Sequence, residues 1–205
     1  VITLYDNISD THTIAAIITY SGSKYPTQII TVTQNIKTKG KTIAAIIGAG
    51  NFSKITLLPA LSKTGVYIKY ISGNDGLDVT DIAKKYNIHK AITDNQIILN
   101  DPEVNFVIIA TRHDTHAELA AQFLSAGKHV FVEKPLALNV EQLEQITSHY
   151  SPETALFAGF NRRHAPVAVK AKSLFGDNML VNIIITINAG KLPDDHWLYN
   201  KKTGG

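Results

Sequence analysis

Apolar positions along this chain come in two textures. Over residues 13–20 and 28–34, Ile, Val and Thr dominate, and Ser21-Gly22-Ser23 and Tyr25-Pro26 interrupt them, which predicts two strands separated by a turn. A short basic connector, Lys37-Thr38-Lys39-Gly40-Lys41, follows. From Thr42 the rhythm changes: apolar runs of strand length alternate with segments of helical period. Strands are predicted over 42–47, 66–71, 91–93, 105–110, 129–132 and 154–160. Helices are predicted between them over 52–63, 78–86, 94–99, 114–126 and 139–149. Pro59 should kink or shorten the first helix. Gly127 reads as the residue just past a helix end and Asn139 as an N-cap. After 163 the pattern shifts to a helix over 167–175 and a long strand over 179–189, whose partial alternation at 182–188 suits a sheet with one solvated face.

Strands alternating with helices imply parallel βαβ units and a sheet covered on both faces. The expected fold is therefore α/β, a Rossmann-type doubly wound parallel sheet followed by the start of a truncated α/β substrate domain. The expected division is 1–40 as the end of a preceding domain or a junction, 41–163 as a dinucleotide-binding domain, and 164–205 as the start of a C-terminal domain. The single methionine is Met179, and the chain stops at Thr203-Gly204-Gly205; both facts suggest a piece of a longer protein.

Composition narrows the function without naming it. Net charge is only +3 and the bases are scattered, so the expectation is no nucleic-acid partner. Cysteine is absent, which removes disulfides, thiolate metal sites and a cysteine nucleophile and suits a cytoplasmic protein. No apolar run is long enough to cross a bilayer, so no membrane partner is expected. Neither a Gly-x-Ser-x-Gly elbow nor a Walker lysine occurs, so serine hydrolase and P-loop readings lack their groups.

Ligands of such sheets bind beyond the carboxyl ends of the strands, so the residues just past each strand matter most. After 42–47 come Gly48, Gly50 and Asn51. Gly48 permits a sharp turn, Gly50 lets a bound group approach the backbone, and the helix that starts near Asn51 aims free N–H groups at the same spot. This is an anion site suited to a pyrophosphate. Ser53 stands where a third glycine usually packs helix on strand. Ser72 and Gly73 follow the second strand, which ends without a carboxylate; Ser72 is a candidate for the ribose or a 2′-phosphate, and NAD or NADP stays open, with Lys69 lying upstream.

The later strand ends carry the groups that could do chemistry. Thr111, Arg112 and His113 follow the fourth. His113 and His116 are three apart, but no third ligand has suitable spacing, so no metal is expected. Glu133, Lys134 and Pro135 follow the fifth: either a structural ion pair or, at this edge, an ammonium that hydrogen-bonds a substrate hydroxyl and stabilises negative charge as its proton leaves. Asn161, Arg162 and Arg163 offer anion or hydroxyl recognition, or a solvated basic loop. His196, beside Asp195 and Trp197, is a general-base candidate by residue type alone.

The stretches Gly48-Ala49-Gly50-Asn51-Phe52, Ala110-Thr111-Arg112-His113-Asp114-Thr115-His116, Gly127-Lys128-His129-Val130-Phe131-Val132-Glu133-Lys134-Pro135 and Gly159-Phe160-Asn161-Arg162-Arg163 together resemble the Gfo/Idh/MocA family of NAD(P)-dependent sugar and inositol dehydrogenases. The Thr-Arg-His-Asp-Thr-His variant, with Asn188-Ala189-Gly190-Lys191-Leu192-Pro193 and Asp195-His196-Trp197, resembles a branch in which this half follows a zinc-type alcohol-dehydrogenase-like half. The resemblance implies that Gly48, Gly50, Asn51 and Phe52 hold the pyrophosphate. It implies Thr111, Arg112, His113 and His116 on the adenosine and ribose side, and Glu133 on the nicotinamide ribose. Lys134 would be the catalytic lysine with Pro135 beside the nicotinamide, and Asn161, Arg163, His196 and Trp197 would belong to the substrate side. The implied substrate is a small sugar-like molecule, and homo-oligomerisation would run through the second-domain sheet of the full-length protein. Arg112-His113 departs from the more usual Pro-Asn, and the family's catalytic histidine lies beyond Gly205. Poor turnover by this piece alone is therefore expected. The rival readings are a cofactor-binding sensor or scaffold without catalysis and, more distantly, a partner-binding module.

Overall fold

The computed structural model describes residues 28–33, 42–175, 180, 182–188, 190–200 and 202–203. The predicted strand over 13–20, the basic connector and most of the range 1–40 lie outside them. The central strand is β2 (Ile43–Ile47), buried at all five positions as its unbroken apolar run requires. β1 (Ile29–Thr31) precedes it, and β3 (Tyr67–Ser72), β4 (Lys90–Ile92), β5 (Phe106–Ile109), β6 (His129–Glu133) and β7 (Leu156–Gly159) follow. They form one sheet in the order β1-β4-β3-β2-β5-β6-β7. Every pairing from β4 across to β7 is parallel, and β1 alone runs antiparallel, beside β4. The chain thus winds outward from β2 in one direction to β4, then returns past β2 to β5 and winds the other way. Such a reversal opens a crevice at the carboxyl ends of β2 and β5.

The helices are α1 (Leu58–Leu61), α2 (Gly76–Lys85), α3 (Gln96–Leu99), α4 (His116–Ser125), α5 (Val140–Ser148) and α6 (Pro166–Leu174). One sheet face, with Ile43, Ala45, Ile47, Val107, Ile109 and Val132, packs on Ile98, Phe123, Leu124 and Ile146 of α3, α4 and α5. The other, with Ile46, Ile71 and Ile108, packs on Leu58, Val79 and Ile82 of α1 and α2. Both faces are covered, as the strand–helix alternation predicts.

Local chemistry sets the boundaries. The helix expected over 52–63 begins with a π-wound turn, Ser53–Leu57, in which the Leu58 N–H donates to the Ser53 carbonyl five residues back. Pro59 explains the wider winding: it has no N–H for an α-type bond to Ile55, and its ring crowds that carbonyl. Past α4, the Gly127 N–H donates to Leu124 O and the Lys128 N–H to Phe123 O, with Gly127 at φ +71°. This is the paired-bond ending that glycine favours. Asn139 caps α5 by accepting from the Gln142 N–H at 2.8 Å.

Two expectations need correction. The long strand over 179–189 does not form across its described part: residues 182–188 are irregular and exposed. No neighbouring strand among the described residues offers hydrogen bonds to them, and an apolar sequence alone does not make a ladder. Glu133, expected just past β6, is its last residue and pairs with Gly159 of β7. Among the described residues no helix is long and apolar enough to cross a membrane.

Candidate functional site

Three strand ends meet at Gly48. Its φ is +103°, its N–H donates to Ser72 O at 2.9 Å, and a Cβ there would lie 2.4 Å from the Ala110 carbonyl oxygen. Only glycine fits a bend so close to a neighbouring backbone. Gly50 differs: a Cβ built on it meets nothing, so its bareness serves open space and not packing. Ser53 is fully buried, and its hydroxyl donates back to the Gly48 carbonyl, which ties the bend to the helix that follows. A small residue fills the third position of the bend, as the sequence suggests.

Around this bend lies a cleft of about 1260 Å³. It is lined by Gly48 to Phe52, by Ser72 to Asp75 past β3, by Thr93 to Gln96 past β4, by Ala110 to Arg112 past β5, and by Trp197. Sites for drug-sized ligands run to roughly 1,000 Å³, so this one suits an extended molecule. Ser72 is buried, and its hydroxyl donates to Asn95 Oδ1 at 2.6 Å, so its proton is already committed. On the far side of β2 the Thr111 and Thr115 hydroxyls are 2.7 Å apart. Trp197 comes in from 164 onward in the chain to lie edge-on to His113, ring centres 5.0 Å apart, and 5.8 Å from the Arg112 guanidinium. Residues 84 positions apart thereby form one wall. His196 Nδ1 accepts from the Leu198 N–H at 3.3 Å and caps the turn that carries Trp197.

A second group of candidates stands on the same rim beyond β5. Glu133 is buried, and Oε1 accepts from Asn161 Nδ2 at 2.9 Å while Oε2 accepts from the Lys134 N–H at 3.2 Å. Lys134 is exposed and is followed by a cis bond to Pro135. Neither Glu133 nor Lys134 lines the cleft at the glycine bend. The link between the groups is His116, fully buried, with Nδ1 2.7 Å from Pro135 O and Nε2 3.2 Å from Thr111 O. Burial holds its pKa below the ordinary value, against the pull of these two carbonyls. His116 therefore braces the backbone at two strand ends and presents no nitrogen to the cleft. The Arg163 guanidinium lies 4.8 Å over the Phe157 ring, and its Nε meets His164 Nε2 at 3.2 Å, on the outer part of β7.

Sequence reasoning missed Asn74, Asp75 and Thr93 to Gln96. The signal was present: the rule that ligands gather past strand ends applies to the third predicted strand, 91–93, as to the others. Asp75 was hidden because α2 starts two residues earlier than its apolar period suggests.

Residues 43–157 match the model of the oxidoreductase family with an NAD-binding Rossmann fold, Gfo/Idh/MocA, and the chain belongs to this family. It is 37% identical over 84 residues to the myo-inositol 2-dehydrogenase of Thermotoga maritima, covering 40% of this chain and 25% of that one. The crystal structure of GenD2 from gentamicin A biosynthesis, in complex with NAD, superposes with a TM-score of 0.62 at 28% identity, over 70% of this chain and 41% of that one. KijD10, a 3-ketoreductase of Actinomadura kijaniata solved with NADP, shares the fold at 21% identity and TM-score 0.61, over 65% and 42%. The chain spans less than half the length of each. The cleft fits the family's cofactor: a bare glycine opening on it, helix N–H groups beside it, and ample volume.

Proposed function

We propose that this chain holds the nicotinamide cofactor, NAD or NADP, and part of the catalytic machinery of a dehydrogenase or reductase for a sugar-like or polyol alcohol and its carbonyl. One observation carries the reading. β2, β5 and β6 are parallel neighbours, so the glycine bend and the Lys134-Pro135 turn emerge on one rim, and His116 ties the second to Thr111 at the edge of the cleft.

The free N–H groups after Gly50 hold the diphosphate. Bound nicotinamide supplies the hydride donor or acceptor. Lys134 donates a hydrogen bond to the substrate oxygen and stabilises its negative charge, while the hydroxyl proton passes to water at this exposed rim in oxidation and returns from it in reduction. Asn161 fixes the Glu133 carboxylate beside the lysine, where it is placed to accept from a ribose hydroxyl. Trp197, with Arg112 and His113 behind it, closes the cleft toward the substrate, and Arg163 and His196 contribute from the second-domain side.

The test is Lys134→Ala in the full-length protein, assayed with a panel of polyols and aldoses and with both nicotinamide cofactors. The expected result is a loss of turnover of about 100-fold or more, with cofactor affinity largely kept. Unchanged turnover would remove Lys134 from the chemistry. Cofactor binding by the full-length protein with no turnover on any substrate, before mutation, would favour a sensor.

A further inference from the structure

The rim on the β3–β4 side of the glycine bend carries acid without a matching free base. We infer that this chain selects NAD over its 2′-phosphorylated counterpart and that Asp75 makes the selection. The inference rests on the cofactor cleft assigned above and adds the identity of the cofactor.

In sheets wound in this order the adenosine ribose meets the end of the strand next to the central one, here β3, and a carboxylate there accepts from its hydroxyls. The usual place for that carboxylate, directly past the strand, is Gly73. A side chain there is crowded: a Cβ would lie 2.8 Å from Val79 Cγ1 and 3.1 Å from Ala49 Cβ, so α2 or the glycine bend would have to shift to admit it. Ser72 is buried with its proton on Asn95. The next carboxylate along the chain that lines the cleft is Asp75, one residue past the uncharged amide of Asn74.

Asp75 is held in place. It caps α2, and the amides of Leu77 and Asp78 both donate to Oδ1, at 2.9 and 3.2 Å. Oδ2 makes no hydrogen bond among the described residues. A carboxylate fixed through one oxygen and open at the other is a pre-organised acceptor for a hydroxyl.

For a phosphate the same rim is hostile. A 2′-phosphate carries about −1.5 to −2 charge near neutral pH. Asp75, Asp78 and Asp94 all line this end of the cleft. Lys54, which does not itself line the cleft, pairs with both oxygens of Asp78, at 2.7 and 2.8 Å. Among the described residues lining the cleft the one cation is Arg112, which follows β5 on the opposite side of β2. A hydroxyl here finds an acceptor; a phosphate finds carboxylates and no guanidinium fork.

The experiment is a fluorescence titration with NADH and NADPH, on the unmodified protein and on Asp75→Asn and Asp94→Asn. An asparagine Oδ1 can keep the bonds that Asp75 accepts from Leu77 and Asp78 and that Asp94 accepts from Gln96, so both variants remove the charge and spare those bonds; unchanged melting temperatures confirm that they fold. The unmodified protein should bind NADH at least 10-fold more tightly than NADPH. Asp75→Asn should shrink that ratio at least 5-fold, mainly by improving NADPH, and Asp94→Asn should shrink it less. Equal or tighter binding of NADPH overturns the selection while leaving the dinucleotide cleft standing. A ratio unmoved by Asp75→Asn removes Asp75 as its source. Binding of neither cofactor overturns the cleft assignment and this inference with it.

Discussion

His116 Nδ1 lies 2.7 Å from the carbonyl oxygen of Pro135, while its Nε2 lies 3.2 Å from that of Thr111. Both neighbours are acceptors, and a neutral imidazole has one N–H to give. The shorter contact assigns that proton to Nδ1, facing Pro135. Burial lowers the pKa from its ordinary 6.5; the two carbonyls and Glu133 oppose the shift, and His113, with its ring centre 5.7 Å away, reinforces it. A depressed folded pKa means the unfolded chain takes up the proton first as pH falls. The stability linked to this ring is therefore complete above about pH 6.5 and declines below it. We expect the melting temperature to fall between pH 6.5 and 5, and His116→Ala to flatten that limb. The same substitution should cost about 1–3 kcal/mol at pH 7.5, through the carbonyl left unpaired. A limb of equal slope in the variant would assign the titration elsewhere.

Gly48 and Gly50 should respond oppositely. Gly48→Ala meets a positive φ and a carbonyl 2.4 Å away, and should cost about 3 kcal/mol or more in urea unfolding. Gly50→Ala meets no atom within 4 Å, so stability should change by less than about 1 kcal/mol. Its added methyl should instead weaken cofactor binding, since the opening faces the cleft. A Gly50→Ala variant that unfolds readily but binds cofactor normally would reverse these assignments.

The pairing of β2 with β3 slips one residue, so that Ala44 faces Ile68 and Ala45 faces Tyr70. Lys69 is the extra residue, and the bulge lets Lys69 and Tyr70 both reach Asp101. Lys69 also pairs with Glu103, and Lys128 donates to the carbonyls of Asp101 and Val104 at 2.8 and 2.9 Å. Burial would raise the Asp101 pKa, but the bonds from Lys69 and Tyr70 outweigh it and hold it below 3.8. Its contribution is therefore present above about pH 4 and lost as pH falls further. Lys69→Met leaves the largely enclosed Asp101 carboxylate without the cation it pairs with and should cost about 3 kcal/mol in chemical denaturation at pH 7. A loss under 1 kcal/mol would show that water reaches the cluster.

Gly159→Ala probes the rim around Lys134. A Cβ there would stand 2.9 Å from Glu133 Oε1 and 3.0 Å from Phe131 Cζ. The carboxylate must move, and the 2.9 Å bond from Asn161 must break or bend. On the function proposed above, we expect a drop in turnover of about 10-fold or more in the full-length protein, with a modest change in stability, read by kcat and KM with a polyol substrate. Unchanged kcat would show that the exact position of Glu133 is immaterial to the reaction.

Much of the fold was legible from residues 42 to 160 because its signals are local. The unbroken apolar run at Ile43–Ile47 marks a doubly covered strand, Asn139 and Gly127 mark helix ends, and Pro59 disturbs its helix through its own missing N–H. The run at 182–188 misled because an apolar stretch needs a partner strand to become one, and period alone does not report whether a partner is there. Lys69 could be placed on β3 but not on a face, since the bulge that turns it toward Asp101 arises from the register of two strands.

By itself the sequence determined the alternation of strands and helices, the bend at Gly48 and Gly50, and the polar residues that follow each strand. Those depend on groups within a few positions of one another, whose steric and hydrogen-bonding demands act along the chain. Only the tertiary structure decided that Trp197 closes on Arg112, that Val79 and Ala49 crowd the place at Gly73, and that His116 faces two carbonyls instead of the cleft. Each of these turns on a distance of a few ångströms between segments far apart in sequence. Strand order and packing set such distances, and neither is written in any single stretch of residues.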